Sequence, residues 1–171
     1  TFRVLDIADL SVEGTFPLGA AVAATCITSR HSLVTAFVLA VLAGCVAGAV
    51  TGLLTTKLKI PALLSGILTM IGLYSINLRV MGRANLSLLG QTTIYSWGAS
   101  AGLTEAQTTL AVGLIAALLV VAVVYWFFGT EIGLALRATG YNPQMSSTQG
   151  VNTDSMVILG LLLSNGLVAL S

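Results

Sequence analysis

Two stretches of this sequence carry side chains able to do chemistry. Near the start, Asp6, Asp9 and Glu13 recur among apolar neighbours, just ahead of Gly14 and Pro17. Carboxylates beside an interrupted helix are the parts from which an ion or solute site inside a membrane is built. A carboxylate in hydrocarbon costs about 2.5 to 3.5 kcal/mol, so Asp9 and Glu13, if at depth, must line protein or water. With the amide of Asn77 they form the candidate polar path. The second stretch runs from Gly129 to Asp154, where Arg137 is the one basic residue between Glu131 and Asp154. A guanidinium there offers a planar fork for a carboxylate or for carbonyls, which is docking chemistry. Catalytic constellations are missing. His31 has no carboxylate or cysteine near it in sequence, and there is no Gly-x-Ser-x-Gly elbow, no zinc-binding helix motif and no dinucleotide glycine motif. No phosphate-binding loop surrounds Lys57 or Lys59, so any nucleotide that drives this chain is hydrolysed by another one. No metal and no cofactor is expected.

The elements that must position these residues follow from composition. Of 171 residues, 56% are hydrophobic and 8% charged, against about a quarter charged in soluble domains. An ordinary water-soluble globule is excluded. The formal net charge is +1, which leaves no basic face to neutralise a phosphate backbone and makes nucleic acid an unsuitable partner. Uncharged runs span 26 residues from His31 to Thr56, 19 from Ile60 to Leu78 and 25 from Ala106 to Thr130. Roughly 20 helical residues cross about 30 Å of hydrocarbon, so all three qualify as spans of a lipid bilayer. Gly14 to Ser29 and Ser155 to Ser171 are helical in character but marginal in length. A start at Thr1 without Met, and an end inside an apolar run with no polar anchor, read as an internal fragment of a longer membrane protein.

Within the spans, the pattern separates packing from function. Gly14 and Pro17 predict either a broken early helix whose freed backbone groups face protein or water, or a polar loop on the membrane surface. Ala40, Gly44, Gly48 and Gly52 stand at four-residue spacing, a small-residue stripe that predicts helix packing rather than a ligand. Cys26 and Cys45 lie in apolar spans with no partner at metal spacing and read as packing residues. The run from Pro61 to Met81 is too polar to face lipid all round, because it holds Ser65, Thr69, Tyr74, Ser75 and Asn77. Gly82 to Gln107 reads as an extramembrane or partly re-entrant loop, and Thr108 to Phe128 as a lipid-facing span.

The stretch from Gly129 to Asp154 predicts two short helices. The first covers about Ile132 to Ala138, with Gly140 as its stop. The second is capped by Asn142, with Pro143 at its first position. A helix-turn-helix between two spans suits docking to another protein.

The run Gly133-Leu-Ala-Leu-Arg137-Ala138-Thr-Gly140-Tyr-Asn142-Pro143, with Gly150 following and Glu131 preceding, resembles the coupling loop of the permease subunits of ABC importers. The resemblance is to the branched-chain amino acid and simple-sugar type, whose loop has the form Gly-x-x-x-Arg-Ala-x-Gly-x-Asn with a later Gly. The run from Val4 to Ala20 resembles that family's interrupted early helix ending in Gly-Ala. Its Asp-Leu-Ser-Val-Glu-Gly wording is closest to a branch associated with aromatic amino acids. The resemblance implies an all-α, polytopic transmembrane bundle. Residues 1–171 would form a single permease domain with a cytoplasmic coupling loop at 129–154, in a bacterial-type inner membrane. It also implies a second permease subunit as a homodimer, two ATP-binding cassette ATPase subunits and an extracytoplasmic solute-binding protein.

Charge does not orient the chain. With the loop inside, Lys57, Lys59 and Arg137 lie inside, and Arg30, Arg79 and Arg83 outside, so the positive-inside rule abstains and orientation follows the resemblance alone. Two other classes stay open: an ion-coupled secondary transporter using Asp6, Asp9 and Glu13, and a non-transporting membrane scaffold.

Overall fold

Apolar runs this long, with backbone groups that lipid cannot satisfy, leave the α-helix as the economical solution. The computed structural model describes residues 2–29, 32–82 and 104–171, and among them every regular element is a helix. The sequence expectations for Arg30, His31 and Arg83, and for most of the Gly82 to Gln107 loop, fall outside the described residues. α1 is Phe2–Leu5 and α2 is Val12–Thr28. Between them the chain is non-helical, with Asp6 in the left-handed region at φ 52°, a conformation that Asp tolerates better than most side chains. The early helix is therefore discontinuous. α3 (Leu33–Thr56) begins at Ser32, whose hydroxyl accepts the Thr35 N–H. α4 (Ala62–Met81) starts after Pro61 and stops at Gly82, a left-handed cap at φ 61°.

α5 (Glu105–Phe128) opens on a capping box in which Thr104 and Gln107 each accept from the other's backbone. α6 is Glu131–Tyr141, α7 is Pro143–Thr148 and α8 is Thr153–Leu170. Asn142 and Asn152 cap the last two, accepting N–H bonds from Met145 at 3.0 Å and Ser155 at 3.2 Å. Among the described residues, four helices are long and apolar enough to cross a membrane: Val34–Thr56, Ala62–Met81, Ala106–Phe128 and Thr153–Leu170. α2, with 17 residues, is about 26 Å long at 1.5 Å per residue. The chain is a multi-pass membrane protein.

Contacts divide the chain into two units, Thr1–Leu88 with Ala135–Ser171, and Leu89–Leu134. In the first, α3 packs along α8, α2 lies against α3, α4 and α8, and α3 also meets α4. Its interior is small and polar. Ser11, Thr15, Thr51, Ser65, Thr69, Asn77 and Asn165 are buried, with Leu18, Ala47 and Leu73 between them, while Val34, Leu42, Val46, Leu63 and Ile71 are exposed. A water-soluble fold would be arranged the other way round. In lipid the large side chains lose nothing by facing outward, and close backbone approach together with internal hydrogen bonds holds the bundle.

The small-residue stripe lies along α8. A Cβ built on Gly44 would fall 2.6 Å from the Asn165 carbonyl oxygen, on Gly48 2.8 Å from the Leu161 carbonyl carbon, and on Gly52 2.9 Å from Ile158 Cα. Ala40 is buried on the same helix. In the second unit, Thr108 near the start of α5 is buried, the most apolar stretch of that helix buries no residue, and the turn after it closes locally. Thr130 Oγ1 donates to the Phe127 carbonyl at 2.6 Å and accepts the Gly133 N–H at 3.3 Å, and a Cβ on Gly133 would lie 2.7 Å from Phe128 Cα.

Candidate functional site

A break in a helix exposes donors at the new N-terminus, and Asp9 supplies the acceptor. Its Oδ1 takes the Ser11 N–H at 3.0 Å and lies 2.5 Å from Ser11 Oγ, so a carboxylate sits at the start of α2, where the helix dipole favours it. Its Oδ2 accepts from Asn165 Nδ2 at 2.9 Å. Asn165, on α8 and fully buried, has both ends of its amide engaged. The second Nδ2 proton goes to the Leu161 carbonyl at 3.0 Å, and Oδ1 is 2.6 Å from Thr15 Oγ1 and 3.2 Å from Ser11 Oγ. Each hydroxyl has one proton, so Ser11 serves Asp9 and Thr15 serves Asn165 at the shorter distances. The network ties the two sides of the break to α8. A second polar seam joins α3 to α4, where Thr51 Oγ1 donates to Thr69 Oγ1 at 3.0 Å and Thr55 and Ser65 share a 2.6 Å bond.

Of the three candidate path residues, Glu13 and Asn77 come together and Asp9 does not join them. Glu13, Gly14, Pro17, Met70, Ile71, Tyr74 and Asn77 line one cavity of about 310 Å³ between α2 and α4, whereas Asp9 belongs to the Ser11–Thr15–Asn165 network. Asn77 Nδ2 donates to the Gly14 carbonyl at 3.4 Å, and its Oδ1 is buried with no hydrogen-bond partner among the described residues. Leaving a buried acceptor unpaired costs about 1–3 kcal/mol. Sequence reasoning passed over Ser11, Thr15 and Asn165. The signal was present in Asn165, an amide that with Ser164 interrupts an otherwise apolar stretch from Met156 to Leu170.

The expected end of the first loop helix is corrected. Gly140 does not stop it, because α6 runs on to Tyr141. The residue is glycine for a different reason: a Cβ there would collide with the backbone of α1, at Val4 and within 2.9 Å of Leu5 Cα. Asn142, extended at φ −151°, ends α6 and caps α7. In the first unit Leu136, Thr139 and Ser146 are buried, while Arg137, Ala138, Asn142 and Pro143 are exposed. Tyr141 is 95% exposed and Met145 is exposed beside it in the turn. Gly150 turns the chain toward α8 at φ 86°. Glu131 and Gly133 lie in the second unit.

The family model for the permease component of branched-chain amino acid transport systems matches residues 1–171. The chain belongs to that family. This permease is 40% identical over 171 residues to a tyrosine transport system permease protein of Clostridioides difficile (strain R20291), covering 100% of this chain and 55% of the relative. It is 34% identical over 171 residues to an uncharacterized protein of Rickettsia prowazekii (strain Madrid E), covering 100% of this chain and 58% of that one. The chain thus spans somewhat over half the length of the curated relatives it matches. No solved structure matches it significantly.

Proposed function

We propose that this permease forms part of the membrane path of an ABC importer for an amino acid, in a bacterial inner membrane. A partner pair of ATP-binding cassette subunits hydrolyses the ATP, a second permease chain completes the path and an extracytoplasmic binding protein delivers the solute. Glu13 and Asn77 contribute to the path at the cavity, Asp9 contributes through the network that braces the start of α2, and the stripe of Ala40, Gly44, Gly48 and Gly52 packs the bundle. Glu131, Gly133, Arg137, Ala138, Gly140, Asn142, Pro143 and Gly150 make up the ATPase-coupling segment.

The observation that carries this reading is the attachment of the loop. Gly140 lies against the α1 backbone at Val4 and Leu5, and α1 leads through the non-helical Asp6–Leu10 stretch into α2, which walls the cavity. Movement of α6 therefore has a short route to the cavity wall, one packing contact followed by a few residues of chain, which is what a subunit driven by an external ATPase requires. An aromatic amino acid as solute is supported by the name of the Clostridioides difficile relative and by the aromatic and apolar walls of the cavity. The test is uptake of labelled tyrosine in cells carrying the complete transporter. Depleting ATP while the ion gradients are held is expected to abolish uptake. Uptake that instead follows the gradient makes the chain a secondary transporter.

A further inference from the structure

The polar edge of the cavity between α2 and α4 is built from acceptors. Glu13 supplies a carboxylate, and among the described residues no cationic side chain lines the cavity and Asn77, 7% exposed, has an Oδ1 without a partner. The Gly14 carbonyl fixes the orientation of that amide, since turning it over would set two oxygens against each other at about the 3.4 Å now spanned by the N–H bond. Pro17, on the same wall, has no N–H, so the helical bond that would satisfy the Glu13 carbonyl cannot form. The remaining lining residues are Met70, Ile71 and Tyr74, the last two largely exposed. We infer that this cavity binds the primary ammonium group of a small apolar or aromatic solute, with the Glu13 carboxylate and Asn77 Oδ1 as acceptors and Tyr74 as an aromatic wall.

The chemistry selects an ammonium over a metal ion. A hard cation such as calcium needs about six to eight oxygens, far more than one carboxylate and one amide provide. An ammonium needs three acceptors and gains from an aromatic face. A volume of about 310 Å³ stands at the small end of ligand sites, which begin at roughly 300 Å³, and suits one molecule of amino-acid size.

The inference deepens the permease reading and rests on it, but binding is measured without ATP, so the two can fail separately. The probe is labelled tyramine, added to the full permease in nanodiscs of phosphatidylglycerol. Saturable binding is expected, with no competition from 3-(4-hydroxyphenyl)propionate, which keeps the ring and lacks the nitrogen. Glu13→Gln is expected to weaken tyramine at least ~10-fold by removing a charge-assisted bond, and Glu13→Asp less. Equal competition by the propionate, no saturable tyramine binding, or an unchanged affinity in Glu13→Gln would overturn the assignment. Nanodiscs containing phosphatidylethanolamine separate the two sources of an ammonium: unchanged tyramine affinity supports a solute site, and displacement by the lipid assigns the cavity to a headgroup instead. Tyramine binding that persists where ATP-driven uptake fails supports the site and overturns only the coupling reading.

Discussion

Asn165 is the residue on which the broken helix depends, because it holds a carboxylate with one end of its amide and the Thr15 hydroxyl with the other. Asn165→Asp would place a second carboxylate 2.9 Å from Asp9 Oδ2, where the amide nitrogen now sits. Losing that bond alone costs about 1–3 kcal/mol, and like-charge repulsion adds to it. The expected result is a marked drop in the melting temperature of the detergent-solubilised permease. Exchanging the pair, Asp9→Asn with Asn165→Asp, restores one amide facing one carboxylate and is expected to recover much of the loss. A double variant no better than the single one removes the network as the cause. The sequence made Asn165 visible as a polar residue in an apolar run. It did not reveal the partner, since Asp9 lies 156 positions away and such a contact exists only once α2 and α8 have packed.

At the scale of the element, glycine has two opposite meanings in this chain. Gly48 faces backbone, with a Cβ position 2.9 Å from Leu162 Cα, whereas Gly72 on α4 has nothing within 4 Å. Gly48→Ala is therefore expected to destabilise the bundle by about 1–3 kcal/mol, as overpacking does. Gly72→Ala is expected to stabilise α4 by roughly 0.5–1 kcal/mol, because the helix loses an unfavourable residue and no neighbour is disturbed. Thermal unfolding followed by fluorescence-detected size exclusion separates the two signs, and equal effects would refute the packing of α3 on α8. Four-residue spacing made the stripe on α3 readable. Its partner helix was not readable, because small residues carry no code for what meets them. Gly140 was misread for a related reason. A glycine near a helix end satisfies the stop rule and the close-approach rule equally well, and only the position of Val4 distinguishes them. Hydropathy placed the spans well, since length against bilayer thickness is a local property that packing does not change.

For the molecule as a whole, α4 and α5 lie between the Lys57 turn and the α6–α7 segment, so two crossings should return the chain to the side it left. Cysteines introduced at Lys57 and Gln144, in a background without Cys26 and Cys45, are both expected to resist a membrane-impermeant thiol reagent in intact cells and to react in inverted vesicles. Labelling of either from outside places the coupling segment on the wrong face. On the same segment, Arg137→Glu is expected to leave the permease in the membrane while reducing solute-stimulated ATP hydrolysis by at least ~10-fold, the scale of a charge-assisted bond turned repulsive. Full stimulation in that variant would separate Arg137 from the ATPase.

The seating of Gly140 against α1 also sets how faithfully any push would travel. Side chains between two elements act as springs, because rotamers yield before backbones do. At Gly140 no side chain intervenes: the carbonyl of Val4 and the Cα of Leu5 lie where a Cβ would stand. Such a joint has almost no slack. A displacement of α6 toward α1 must therefore arrive at nearly full amplitude.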